Sequence, residues 1–388
     1  MNTIIMSDQH LGKFWKNNNS VSNRGRKLID YFIYNLENCT YNKPNTNLIL
    51  AGDLYDSTST NVELLVYIKS NLYKTLKEFN HVYIIAGNHE IFINKDSVQE
   101  SLLTATLDSS DKIDIIVSGL YSIEDKTYNY IFIPFQNELD SLLDSEMEKY
   151  LKPNKKNIII GHFTPKEIFS YEKLELTKYI DKYTDIVGKK NLPYIFLGHY
   201  HQPTELKYKN TLIVSISNSY YNTIGDIKEV IDLNLDKRFI EFDNNKITYR
   251  SYSLPLIYSY EVSSQVQFDN EILKDIKDKE IDKKDIIYLK SKVIIDYSEL
   301  VFDGYDVYFD MIENTEENLI SLSESINSNF QNNNTTQGKS LNDRWNRYIE
   351  LIPESLLSIS EKTTATWLFN KRLDNDLSLS QLKTMLGE

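Results

Sequence analysis

The chain has 388 residues, enough for two or three domains with a sizeable core. Its 41% hydrophobic and 26% charged residues exclude a disordered polyelectrolyte, and a formal net charge of −13 excludes nucleic-acid binding by bulk electrostatics alone. A single cysteine, Cys39, excludes an internal disulfide framework and a cysteine metal cluster.

The N-terminus, MNTIIMSDQH, has no charged region ahead of a long apolar run. No stretch reaches the roughly 18 apolar residues of a membrane span, so a cytoplasmic protein with no membrane partner is expected. Apolar, often β-branched runs at 3–6, 47–51, 82–86, 113–117, 130–135, 157–160, 194–197 and 211–216 read as strands. Helical spacing lies between many of them, at 24–38, 60–79 and 136–151. Strand and helix alternate, and strand follows strand after 190, which predicts a layered α/β sandwich over residues 1–254.

From 226 to 260 the pattern reads as strand and hairpin, with DNN at 243–245 as the turn. The mixed-sign run 270–285 reads as a solvated helix face and 286–297 and 305–312 as strands, so 255–322 is expected to form a small α+β domain. The Ser/Asn/Gln-rich stretch 323–340 reads as a flexible linker. Beyond it, 341–388 carries Trp345, Tyr348, Ile349, Ile352, Trp367, Leu368, Phe369 and Leu373 at helical spacing. This helical hairpin either packs back on the body or offers its apolar face to a partner.

The chemistry gathers where strands end. SDQHLG (7–12), AGDLYD (51–56), GNHE (87–90), GHF (161–163) and GHYHQP (198–203) each follow an apolar run. Ligands at the C-terminal ends of adjacent strands meet at one sheet edge. Five of the six histidines, His10, His89, His162, His199 and His201, lie in these motifs, and only His81 does not. A lone histidine is more often a surface or core residue, but that joint placement points to a metal site.

Asp8 and His10, two apart, can face the same ion, and His199 and His201, at the same spacing, can face one spot past the end of a strand. Asp53 has two oxygens and suits a bridge between two ions about 3.5–4 Å apart. Asn88 adds a neutral oxygen and His162 a further imidazole. Imidazole, carboxylate and amide donors favour two Mn²⁺ or Fe²⁺ ions over Mg²⁺. His89, next to Asn88, faces away from that ion toward substrate, where it can stabilise phosphoryl charge or protonate a leaving oxygen. Asp56 orients His89 or another ligand, or simply caps the helix near 60. With no Ser or Cys nucleophile and no phosphate loop ending in Lys, direct hydrolysis by water activated at the ions is the economical reading.

These motifs, in this order, resemble the calcineurin-like metallophosphoesterase superfamily over about residues 1–225. The resemblance implies a four-layer αββα sandwich with a dinuclear centre. The Leu-Gly after His10, GDLYD and GHYHQP resemble more narrowly the Mre11/SbcD-type nucleases, and the short Asn-rich chain resembles the phage branch of that family, the recombination endonuclease subunits. That likeness implies one ion held by Asp8, His10, Asp53 and His201, the other by Asp53, Asn88, His162 and His199, and His89 as the catalytic histidine. It further implies a DNA-capping domain at 255–322, a Rad50/SbcC-type ATPase gripped by 341–388, and a homodimer. SNSYYNTIGD (217–226) departs from the family's turn after its last motif.

Lys13, Lys16, Arg24, Arg26 and Lys27, with Trp15 interleaved and no acidic residue among them, read as a basic loop that grips DNA, or else as a solvated loop. A Mn²⁺-dependent DNA nuclease is therefore weighed against a phosphoesterase acting on a small molecule or a phosphoprotein. A non-enzymatic scaffold is disfavoured because no ligand position is lost.

Overall fold

The computed structural model describes residues 2–13, 24–40, 42–58, 62–93, 99–107 and 112–311. Trp15, Lys16, the 323–340 linker and the 341–388 segment lie outside them. The first half runs β1 (Asn2–Met6), α1 (Arg24–Asn38), β2 (Thr46–Ala51), α2 (Val62–Leu76), β3 (His81–Ile85), β4 (Ile91–Ile93), β5 (Gln99–Ser101), α3 (Leu102–Thr106) and β6 (Ile113–Ile116). It continues through β7 (Tyr121–Glu124), β8 (Tyr128–Ile133), α4 (Leu139–Ser145), α5 (Met147–Tyr150), β9 (Lys156–His162), α6 (Leu176–Val187) and β10 (Tyr194–Gly198). Then come β11 (Thr204–Tyr208), β12 (Thr211–Ser215), α7 (Ile224–Leu233), β13 (Arg238–Asp243), β14 (Lys246–Ser251), β15 (Ile257–Val262), β16 (Ile286–Ser291) and β17 (Asp306–Met311).

Two six-stranded sheets form the body, in the orders β14-β13-β1-β2-β3-β6 and β11-β12-β10-β9-β8-β7. Strand alternation decides the layering, because successive side chains leave opposite faces. Ile4, Met6, Leu48, Leu50, Val82 and Ile84 pack outward with Leu28, Phe32, Ile68 and Leu72 of α1 and α2. Their neighbours Ile5, Ile49, Tyr83 and Ile85 face the other way, into a shared core with Tyr130, Phe132, Ile158, Ile160 and Phe196 of the second sheet. On the far side of that sheet, Ile131, Ile133, Ile159, Ile195 and Leu197 meet Leu143, Tyr179, Ile180 and Tyr183 of α4 and α6. The order is helix, sheet, sheet, helix, as expected from the sequence.

β1, β2, β3 and β6 pair in parallel, as do β8, β9, β10 and β12, so the strand ends that carry the motifs point the same way within each sheet. The β13–β14 hairpin turns on Asn244 and Asn245 at φ +48° and +66°, the backbone that a two-residue turn between twisted strands demands. One expectation is corrected: residues around EVIDL form helix α7, not a strand. Thr223 and Asp226 make a capping box, each side chain bonding the other's backbone N–H, and this starts the helix despite its β-branched content.

The described chain divides into two compact units. One comprises Met1–Tyr260 with Glu280–Leu289 and Leu300–Asp310, the other Glu261–Lys279 with Lys290–Glu299 and Met311. A three-stranded sheet has the order β15-β16-β17, and Ile286, Tyr288 and Tyr308 join the outer core of the first unit. In the second unit a helical run from Gln265 to Asp278 is tied to the later segment by Lys277 and Glu299, 2.8 Å apart, and by Gln265 bonding the Asp296 backbone. Among the described residues no helix is long and apolar enough to cross a membrane.

Candidate metal centre

Beyond Met6 the first strand gives way to a loop stitched to the loop after β2. Asp8 N–H donates to Gly52 O (3.1 Å), His10 N–H to Asp53 O (2.9 Å) and Leu11 N–H to Leu54 O (2.8 Å). The two loops therefore advance in register, carrying Asp8 and His10 beside Asp53. The backbone is strained where they do so. Asp8, His10, Asp53 and His199 have φ of +55°, +48°, +49° and +85°, in a region L-residues avoid. Each such residue costs on the order of 1–3 kcal/mol and persists only where its surroundings hold it. Gly52 makes the close approach possible: at φ +94°, a Cβ there would lie 2.0 Å from His162 Nδ1.

The side chains converge. Asp8 accepts His199 N–H at 3.1 Å to each oxygen and lies 3.7 Å from His201 Nε2. His10 Nε2 and His201 Nε2 face each other at 3.0 Å. Asp53 Oδ2 is 3.2 Å from His162 Nε2 and 3.8 Å from His10 Nε2, and its Oδ1 accepts His89 N–H at 3.0 Å. Asn88 Oδ1 is 3.2 Å from His162 Nε2. Among the described residues three sets, Asp8–His10–His201, His10–Asp53–His89 and Asp53–His162–His199, have ligand atoms within 4.8 Å of one another.

Electrostatics follow from this crowding in the metal-free chain. Burial disfavours the His162 imidazolium, but Asp53 outweighs it and raises the pKa to about 9. Burial likewise opposes the Asp53 carboxylate, and His162 and His10 hold it well below the ordinary carboxylate range. Burial and neighbouring His162 push His199 down to about 4, and burial lowers His201. The donor set fits two divalent ions. His162 Nδ1 lies 2.8 Å from Ala51 O; by donating its N–H there, the ring keeps its Nε2 lone pair for the site. The opposed Nε2 atoms of His10 and His201 are likewise a pair that one cation satisfies.

Asp56 touches two of the expected players. Its carboxylate is 3.3 Å from His10 Nδ1, an ion-pair contact rather than an aligned hydrogen bond, and its backbone carbonyl accepts from His89 Nδ1 at 2.7 Å. The His89 ring stands edge-on to His10 with centroids 4.7 Å apart. Thus Asp8, His10, Asp53, Asn88, His162, His199 and His201 come together, with His89 and Asp56 beside them. Lys13 reaches the same cluster, 3.9 Å from Asp56. Arg26 pairs with Glu63 at 3.6 Å, and Lys27 donates to Lys283 O. Arg24 opens α1.

Residues 1–203 match the calcineurin-like phosphoesterase family, just over half of the chain. The chain belongs to the calcineurin-like phosphoesterase family. Its site has the makings of a metal-dependent hydrolase. Among solved structures, phosphopantetheinyl hydrolase from Mycobacterium tuberculosis is 14% identical, covering 56% of this chain and 89% of its own, with a TM-score of 0.35. A conserved uncharacterized protein of Streptococcus pneumoniae described as a predicted phosphoesterase is 10% identical, over 65% and 89%, with a TM-score of 0.29. An archaeal phosphodiesterase is 13% identical, over 64% and 98%, with a TM-score of 0.31. No curated protein matches the chain.

Two features of this phosphoesterase site escape sequence reasoning. Glu90, fully buried, accepts Tyr55 N–H at 2.7 Å and Gly87 N–H at 2.8 Å, locking the Asp53 loop to the Asn88 loop. It stands in the GNHE motif, but nothing in its spacing announces a clamp. Beyond the last motif, buried Lys237 meets Asp226 at 2.7 Å and Glu229 at 3.1 Å, and Asp226 accepts from Asn218 at 2.8 Å. That network steadies the 217–223 loop, whose Ser219 N–H reaches Asp8 O at 3.4 Å.

Proposed function

We propose that the chain is a Mn²⁺-dependent DNA nuclease of the Mre11/SbcD type that hydrolyses phosphodiester bonds. In this reading it works with a Rad50/SbcC-type ATPase, gripped by residues 341–388, in DNA end processing, recombination and repair. Asp53 carries the hydrolytic part, with His162 at 3.2 Å and His10 at 3.8 Å from one carboxylate oxygen. Two divalent ions bound about such a carboxylate acidify a water and offset charge on phosphoryl oxygens.

The chain's own groups do the rest. Asp56 orients His10, the Ala51 carbonyl orients His162, and Glu90 keeps both carrier loops in place. His89 donates its Nδ1–H to Asp56 O, which leaves Nε2 to act on a substrate oxygen. From there it holds a proton against a phosphoryl oxygen or delivers one to the leaving oxygen.

DNA as substrate is supported by Leu11-Gly12 after His10, by GHYHQP, and by the acid-free basic stretch from Lys13 to Lys27 in a chain of net charge −13. Imidazole-rich ligation favours Mn²⁺ or Fe²⁺ over Mg²⁺. A homodimer, a capping role for 255–322 and a cytoplasmic setting, that of the host for a phage protein, belong to the same reading. Hydrolysis of single- and double-stranded DNA with Mn²⁺, beside a generic phosphodiester, tests it. Cleavage of DNA is expected. Hydrolysis of the small ester alone would replace DNA with a small phosphodiester or a phosphoprotein.

A further inference from the structure

The segment between His162 and helix α6 carries large apolar rings on its outside. Lys166 N–H donates to Leu174 O at 2.8 Å and closes the loop, and Phe169 N–H donates to Pro165 O at 3.1 Å. Glu167 anchors it to the start of α6, accepting Thr177 N–H at 2.8 Å and Leu176 N–H at 3.1 Å. On this fixed frame Phe169 is 39% exposed and Tyr171 86% exposed. Ordering the loop leaves both rings in contact with water, so its own core gains little from them.

The rings form a path. Phe169 stacks on Tyr200 with centroids 5.7 Å apart and planes 28° apart. Tyr171 follows at 5.3 Å from Phe169, tilted by 58°, as an angled wall rather than a third parallel layer. Tyr200 lies between His199 and His201 in the chain, one residue from each candidate ligand. It is held by Ser215 Oγ donating to its carbonyl at 2.9 Å and by its own hydroxyl donating to Gln202 at 2.8 Å. Phe135 flanks His199 on another side, ring centroids 6.1 Å apart.

We propose that Tyr200, Phe169 and Tyr171 form a stacking shelf for an unpaired nucleobase of the strand whose phosphate sits at the metal centre. The inference rests on the nuclease reading and names how that site selects its substrate. A nucleobase is a flat π-faced group fixed to a phosphodiester, so a strand whose phosphate meets His199 and His201 has a base to offer Tyr200, which lies between them in the chain. A phosphorylated serine or threonine has no such face. Stacking is indifferent to base identity, so the shelf tells nucleotides from aliphatic phosphoesters without reading sequence. It also asks the base to leave its duplex partner, which favours single strands or frayed ends.

The test uses the full chain with Mn²⁺ and short single-stranded oligonucleotides, in which one nucleotide near the scissile bond is normal, abasic or 2-aminopurine. Losing one stacked base should lower wild-type kcat/KM about tenfold or more on the abasic substrate. Tyr171→Ala and Phe169→Ala should lose a similar factor on the normal oligonucleotide and little more on the abasic one, while Tyr171→Trp restores it. Quenching of 2-aminopurine fluorescence on binding should be strong for wild type and weak for Tyr171→Ala. DNA cleavage with additive losses, or with equal quenching in both proteins, overturns the shelf and leaves the nuclease reading standing. Failure of wild type to cleave any oligonucleotide while hydrolysing a small phosphodiester overturns both.

Discussion

A single methyl group at position 87 should dismantle the centre. Gly87 sits where the loops after β2 and β3 touch. A Cβ there would lie 2.0 Å from Asp53 Oδ1, 2.7 Å from its Cγ and 2.4 Å from its backbone nitrogen. Rotating the carboxylate relieves the first two contacts and not the third. The whole Asp53 segment must then retreat by more than about 1 Å to restore ordinary contact distances. It has little freedom to do so, because the Asp53 carbonyl accepts His10 N–H at 2.9 Å and Glu90 binds both Tyr55 and Gly87. Misplacing a reacting group by 1 Å costs about 100-fold in rate, and overpacking costs about 1–3 kcal/mol of stability. Gly87→Ala should therefore lose about 100-fold in kcat/KM on bis(p-nitrophenyl) phosphate with Mn²⁺, bind fewer ions, and melt about 3–10 °C lower. Gly119→Ala is the control, since Gly119 has φ +68° but nothing within 4 Å of its Cβ position. It should show backbone strain in the melt and keep its activity. A Gly87→Ala protein with wild-type rate and metal content would refute the steric reasoning.

Other perturbations separate the roles. His89→Ala should lose cleavage by about 100-fold or more while keeping its full metal content by elemental analysis, as fits a group acting on substrate; loss of the ions instead would make it a ligand. Lys237→Met leaves the buried Asp226 carboxylate without its cation and should cost about 3–5 kcal/mol. In wild type Lys237 helps hold the Asp226 pKa down against burial, so that stability is present above the unfolded carboxylate value and lost as pH falls through the folded one. The variant's deficit in Tm should accordingly hold between pH 8 and pH 5 and shrink only as pH falls below about 4, through the unfolded carboxylate value toward the folded one; a deficit unchanged on that acid side contradicts the ion-pair account. His162, raised to about 9 in the free chain, must lose its proton to bind a metal. Mn²⁺ affinity should therefore rise with pH toward 9, and calorimetry in buffers of different ionisation enthalpy should detect at least one proton released per chain near pH 7.5. Uptake without proton release would contradict it.

The site is legible where chemistry repeats and illegible where a single contact decides. Five strand ends each followed by Asp, Asn or His announce His10, Asp53, Asn88, His162 and His199 because parallel pairing forces such ends together. Asp56 reads from sequence as an orienting group, but that its carboxylate serves His10 while its carbonyl serves His89 depends on loop geometry that spacing does not encode. Lys237 looks like any lysine beside a strand; only the fold reveals that it is 2% exposed and paired across α7. The layered α/β sandwich follows from apolar strand runs alternating with helical segments, and its αββα order from the family resemblance, whereas EVIDL reads as a strand because its cap at Thr223 lies outside the β-branched run. Exposed Tyr171 carries no periodic signal at all, since rings on loops follow none.

The central claim is a pair of ions sharing Asp53. Elemental analysis and Mn²⁺ titration of the purified chain, set beside Asp53→Asn, test it most directly. The account predicts two Mn²⁺ per wild-type chain, no more than one in the variant, and phosphodiester hydrolysis that disappears with the second ion. A wild-type chain that binds no divalent metal, or a variant that keeps two ions and full activity, would contradict it.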